Sequence, residues 1–159
     1  MTTSQTASAP GLVTDMAGLP HSAGTHLGYT AWREMTQQRV NEFADVTEDH
    51  NFIHVDPERA KSSPFGGTIA HGFLSLSLLA PVTQQLLQVT DAAMSVNYGL
   101  DKLRFPAPLP VGAMWRGAAE ISEVTEVKGG LQVKVVASIE VKDSPRPALV
   151  AECLIRHYA

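Results

Sequence analysis

The chain is poor in several features, and each lack narrows what it can be. It has one cysteine, Cys153, in 159 residues, so no disulfide closes within it and a reducing compartment suits it. Positive charge is scarce and scattered, with 12 Lys and Arg against 16 Asp and Glu and a formal charge of -4. Without a basic cluster, nucleic acid and anionic membrane are set aside as main partners. Long apolar runs are missing too. The longest apolar-rich stretch, Phe73 to Leu87, is broken by serines, Pro81 and two glutamines, which leaves nothing to span a bilayer. The beginning of the sequence carries neither a charged leader nor a signal-type hydrophobic core, so a cytoplasmic location is expected.

What remains is the composition of an ordinary globule, 44% hydrophobic and 18% charged, at a length that suits one domain. Residues 1–23 are rich in Ser, Thr, Ala and Gly with two prolines. They read as a flexible extension, since they offer little apolar surface to offset the entropy of ordering. Residues 24–159 form the single expected domain. A strand is predicted over Tyr29 to Glu34, followed by a helix over "QQRVNEFADV" with Thr36 as its N-cap. Val40, Phe43 and Ala44 share one face of that helix. It ends before Asp49, so "EDHNFIH" reads as a loop. Asp56 and Pro57 then suit the start of a short helix.

The stretch "HGFLSLSLLAPVTQQLLQ" is apolar nearly all round, which marks a buried helix. Pro81 is placed to kink it, and the amides of its first turn, near Gly72, lack intrahelical acceptors. After Asp91 the period changes to two. Leu131, Val133, Val135, Ala137, Ile139 and Val141 take one side of a strand, and "KGG" (128–130) supplies the turn from "MWRGAAEISEVTEV". Leu149, Ala151, Cys153 and Ile155 alternate likewise, and a further strand near Leu103 ends at the prolines of "FPAPLPVG". The pattern predicts an α+β architecture, an antiparallel sheet wrapped around one long buried helix.

Two of the six histidines fall with Asp49 and Asn51 in "FADVTEDHNFIHVDP". His50 and His54 are four apart, a spacing that could grip zinc on a helix. The stretch reads as loop and has no third clustered ligand, so no metal is expected. Taken alone, Asp49 could equally be a turn residue.

The run Glu48-Asp49-His50-Asn51-Phe52-Ile53-His54 resembles the signature of the MaoC-like dehydratase family, Gly-Asp-x-Asn-Pro-aliphatic-His, which includes the (R)-specific enoyl-CoA hydratases. "HVDPERA", "FGGTIAHGFLSLSLL" and "NYGLDKLRFPAPLPVG" extend the likeness over most of the chain from Gly24 onward. The NodN-like, single-domain branch is the most similar. Two positions depart from the signature: Glu48 replaces its glycine and Phe52 its proline. Glu48 adds a carboxylate beside Asp49 and makes a left-handed backbone there costly.

The resemblance implies a hot-dog fold and a homodimer. It implies addition of water to a trans-2-enoyl-CoA, or the reverse, with coenzyme A entering as part of the acyl-CoA substrate and no other cofactor. It assigns Asp49 and His54 as the catalytic pair and the Gly72 amide as oxyanion donor. Asn51 shapes the loop, and Ser77 matches a polar residue near the family's site. His71 is either a ligand contact or a satisfied polar residue at the helix start, and Ser77 could simply bond back to its own helix. Arg104 could meet a phosphate of coenzyme A or form a structural ion pair. The chemistry agrees with this assignment. A carboxylate with a reference pKa of about 3.9 can orient water, and an imidazole of about 6.5 can move a proton either way near neutrality. Amides at a helix start suit a developing enolate. A hot-dog thioesterase, a carrier-protein dehydratase, or a non-catalytic acyl-CoA-binding subunit are the competing readings.

Overall fold

Long strands with alternating side chains frame the molecule. In the computed structural model, which describes residues 9–159, β-strands and helices follow one another in the order β1 (Leu12–Thr14), β2 (His26–Tyr29), β3 (Arg33–Glu34), α1 (Gln37–Thr47), α2 (Phe52–Val55), α3 (Pro57–Ala60), α4 (Gly72–Ser77), α5 (Leu79–Leu86), β4 (Leu87–Val89), β5 (Met94–Arg104), β6 (Met114–Val127), β7 (Gly130–Val141) and β8 (Leu149–Tyr158). The main sheet runs β2-β6-β7-β8-β5, with β3 also on β6, and all of its pairings are antiparallel. On β7 the residues expected inside, Leu131 through Val141, are buried. The β6–β7 turn works because Gly129 takes a φ of +81°, open to glycine at little cost.

The sheet wraps α4 and α5, which bury Leu74, Leu79, Val82 and Leu86 against its inner face. Removing such side chains from water contributes roughly 1.5–3 kcal/mol each. The expected single helix is in two segments, interrupted at Leu78. Pro81 is the cause: it has no N–H to give the Ser77 carbonyl four residues back, and its ring crowds that group. Hydrogen bonding resumes on either side, from Leu78 N to Leu74 O and from Val82 N to Leu78 O. Val82 meets the sheet at Gly117, where a Cβ would lie 2.3 Å from the valine side chain. Only glycine lets the helix approach this closely.

Three further expectations need correction. The sequence ahead of Gly24 is not a mere extension: β1 pairs in parallel with β4, and Leu19 is fully buried. Those few apolar residues are recruited by a partner strand far along the chain. Residues 1–8 lie outside the described residues. The strand expected over Tyr29 to Glu34 is two pieces, because Thr30 turns its hydroxyl to accept from the Gly117 N–H at 2.9 Å. The Asp49–His54 loop closes into a helical turn, α2, which carries His54. Among the described residues no helix is long and apolar enough to cross a membrane.

Candidate active site

The site begins where α1 ends. Thr36 caps the helix, accepting from the Arg39 N–H at 3.2 Å, a contact worth about 1 kcal/mol. At the other end Glu48 takes left-handed values, φ 62° and ψ 18°, and turns the chain back on itself. Asn51 stabilises the return: its N–H donates to Asp49 Oδ1 at 3.3 Å, and its own Oδ1 accepts from the Ile53 N–H at 3.4 Å as the cap of α2. His54 is thereby aimed inward, only 7% exposed. Gln37 of α1 fixes it from behind, donating to the His54 carbonyl at 2.7 Å while accepting from the Thr68 hydroxyl at 2.6 Å.

His54 Nδ1 lies 2.8 Å from the Ile69 carbonyl. A carbonyl only accepts, so Nδ1 carries the proton and Nε2 keeps its lone pair. Burial pushes the His54 pKa below its ordinary value of 6.5, helped by His71 and opposed by the Ile69 bond and by Asp49. The ring is therefore a neutral base at physiological pH. A carboxylate oxygen of Asp49, a nitrogen of His54 and a nitrogen of His71 all lie within 4.8 Å of one another. A separation of that size is within the span that one bridging water covers.

The same trio is poorly built to grip an ion. The His54 and His71 rings are stacked, with centroids 3.8 Å apart and planes inclined by 25°. Nitrogen lone pairs lie in their ring planes, and planes this nearly parallel meet far beyond the roughly 2.0–2.1 Å reach of a zinc–imidazole bond.

His54 and Gly72 share a cavity of about 380 Å³ whose walls include Phe65, Ser75, Phe105 and Ala148. Gly72 is the first residue of α4, with its amide in the turn that lacks intrahelical acceptors. The Phe105 ring lies over it so closely that a Cβ on Gly72 would stand 3.0 Å from the ring. Pairing of Ala70 N with Leu109 O and of Val111 N with Thr68 O holds the proline-rich wall in place.

A buried imidazole and a loop carboxylate beside a helix start, inside a sheet-wrapped helix, invite comparison with known proteins. Residues 19–143 match the family model for the MaoC like domain. The chain belongs to the MaoC-like dehydratase family. This MaoC-like chain is 46% identical over 145 residues to 3-hydroxyacyl-thioester dehydratase Z of Mycobacterium tuberculosis, covering 91% of this chain and 96% of that one. It is 42% identical over 140 residues to nodulation protein N of Rhizobium leguminosarum bv. viciae, covering 86% of each. The solved (R)-hydratase from A. caviae shares the fold at a TM-score of 0.70 and 24% identity, over 84% of this chain and 94% of that one. The architecture is thus the hot-dog fold, and the family is one of dehydratases and hydratases, which are lyases.

Within the MaoC-like frame, the residues singled out from sequence take three kinds of place. Asp49, His54 and His71 converge, and Gly72 joins His54 at the cavity. Asn51 shapes the backbone between them. Ser77 stands elsewhere, its hydroxyl donating to the Phe73 carbonyl at 2.8 Å, and lines a second cavity of about 270 Å³ with Leu76, Ala80, Thr83 and Cys153. His50 turns out to solvent and pairs with Asp45 at 2.9 Å. Arg104 donates to the neighbouring Leu103 carbonyl. The glycine of the family signature is Glu48, and it adopts the left-handed backbone all the same. Gln37, Ile69 and Phe105 are not foreseeable from the sequence. Nothing in their spacing marks them, since each acts through a side-chain amide, a backbone carbonyl or a ring face brought near by the fold.

Proposed function

We propose that this protein is an (R)-specific hydratase that adds water to a trans-2-enoyl thioester of coenzyme A, giving the (R)-3-hydroxyacyl-CoA, and that runs equally in reverse. The carrying observation is the Asp49 carboxylate within 4.8 Å of the His54 ring, at a cavity that His54 shares with the start of the central helix. In this reading one water sits between Asp49 and His54. His54 Nε2 takes a proton as the water oxygen attacks C3, and the imidazolium returns that proton to C2. Asp49 accepts a hydrogen bond from the water's other O–H, which stays on the new C3 hydroxyl, and offsets the transient positive charge on His54. The enolate oxygen is received by the Gly72 N–H, where the start of the helix coincides with a donor that has no partner among the described residues. The similarity to a protein named for dehydrating 3-hydroxyacyl thioesters supports the thioester and the dehydration direction.

The helix also offers a path for the acyl chain. Gly72 and Ser75 of α4 line the first cavity, and Leu76, Ala80 and Thr83, farther along the same two helices, line the apolar one with Leu79, Leu100 and Ile155, which is where the acyl chain is taken to run. Burial pushes the Cys153 thiol in that wall up to about 11, so it acts as apolar lining.

The working form is a homodimer in the cytoplasm. Strand β5 ends the sheet with one edge unpaired among the described residues, and Met94, Val96, Tyr98 and Leu100 along it are exposed. A second copy would cover this edge, and light scattering after gel filtration reads the mass directly.

The decisive assay follows the loss of enoyl-thioester absorbance, with chiral analysis of the product. Asp49→Asn is expected to lower turnover by at least about 100-fold. Full activity in that variant sinks the mechanism, and release of free thiol in place of hydration points to a thioesterase.

A further inference from the structure

His71 has no step in the reaction just described, yet it is 2% exposed and touches both members of the pair. Its Nε2 lies 2.9 Å from the Asp49 carbonyl. Since a carbonyl only accepts, Nε2–H is the donor. Its Nδ1 is buried with no hydrogen-bond partner among the described residues. The one hydrogen bond the ring makes among the described residues is therefore spent on Asp49. One face of it stacks on His54 at 3.8 Å, and Phe43 packs against it at 4.9 Å.

Asp49 needs such a hold. It is exposed, follows a left-handed residue, and among the described residues its carboxylate bonds only to the Asn51 amide of its own turn. His54, by contrast, is pinned three ways, through Gln37, Ile69 and the backbone of α2. The His71 donor is the one contact described that ties the Asp49 peptide to the ring stack carrying His54.

We propose that His71 is the positioning residue of the pair, setting the Asp49–His54 separation by donating Nε2–H to the Asp49 carbonyl while its ring lies against His54. This rests on the reading of Asp49 and His54 as the water-activating pair. Misplacement of a reacting group by about 1 Å can cost 100-fold in rate, so the bond has kinetic weight out of proportion to its strength.

Two variants separate the donor from the ring. His71→Phe keeps an aromatic face on His54 and loses the N–H. His71→Gln loses the ring but places an amide N–H at the Nε2 position, the same number of bonds from the backbone. The expected result is a turnover loss of about 10- to 100-fold in His71→Phe with KM changed less than about threefold, and recovery to within about fivefold of wild type in His71→Gln. A role in packing alone predicts the reverse order, with Phe active and Gln impaired, and that outcome overturns the proposal. So does a KM rise with unchanged turnover, or equal activity in both.

A second measurement does not depend on turnover. Two titratable groups act on His54, Asp49 from the loop after α1 and His71 from the start of α4. The His54 NMR titration is recorded with and without the Asp49→Asn substitution, in each His71 background. The shift caused by Asp49→Asn is expected to persist in wild type and His71→Gln, and to vanish in His71→Phe. A shift that survives in His71→Phe refutes positioning through this bond. If wild type titrates as expected but hydrates no enoyl thioester, the functional reading fails and the positioning stands.

Discussion

The left-handed Glu48 yields a sharp test. Its φ of 62° forces the side chain toward the following carbonyl, at a cost of roughly 1–2 kcal/mol for an L-residue. In Glu48→Gly that cost disappears, while the greater freedom of glycine in the unfolded chain gives back about 0.5–1 kcal/mol. The carboxylate also sits at the negative end of α1, where removing it adds a few tenths of a kcal/mol. The balance is a gain of about 1 kcal/mol, or roughly 2–4 °C in Tm for a chain of this size. Glu48→Ala isolates the charge, because alanine meets the same backbone penalty. Thermal unfolding followed by circular dichroism should rank Gly above Ala, with Ala within about 1 °C of wild type. If Ala stabilises as much as Gly, the left-handed strain is not what is being relieved and the argument fails. Turnover should survive in both, since the exposed Glu48 side chain is not needed to hold Asp49.

Other outcomes follow from packing and protonation. His157, inward on β8 and bonded to Ser95 at 2.8 Å, is held by burial below its ordinary value of 6.5, as is His54. The unfolded chain then binds more protons than the folded one once pH drops below about 6.5, so stability is full above that value and declines as pH falls toward the folded values. Urea midpoints measured between pH 7.5 and 5.5 should fall for wild type and fall less for His157→Leu; parallel slopes would refute the assignment. Gly72→Ala should displace the Phe105 ring and lower turnover about tenfold with little change in Tm, partly restored by adding Phe105→Leu; no restoration would mean the clash is not the cause. Leu19→Ala should cost about 3 kcal/mol, or roughly 6–12 °C in Tm, where a flexible extension would show no change.

The sequence makes some of this legible and hides the rest for identifiable reasons. Leu131 to Val141 alternate because one face of β7 is buried and the other is wet, and a period of two survives that arrangement. Thr36 is readable because capping chemistry is local. Asp49 and His54 are readable as a motif. The β1–β4 clasp is not: three residues have no period, and the pairing joins Leu12 to Leu87 across most of the fold. Of Met94–Arg104 only the end near Leu103 is legible, because the residues before it are exposed on both faces and so show no alternation. His71 stacking on His54 is a tertiary event between residues that share no element, and the Ile69 carbonyl that sets the His54 tautomer carries no side-chain signal at all.

The interruption at Leu78 reaches further than that one residue. A proline ring is covalent, so repacking elsewhere cannot restore the hydrogen bond it removes from the rod beneath the sheet. The short leading segment is joined to the rest of the rod through that break, and the Gly72 N–H stands at its far end. Swapping Pro81 for alanine would weld the two segments into one, and any change of heading would be delivered to that N–H while every reacting group kept its identity.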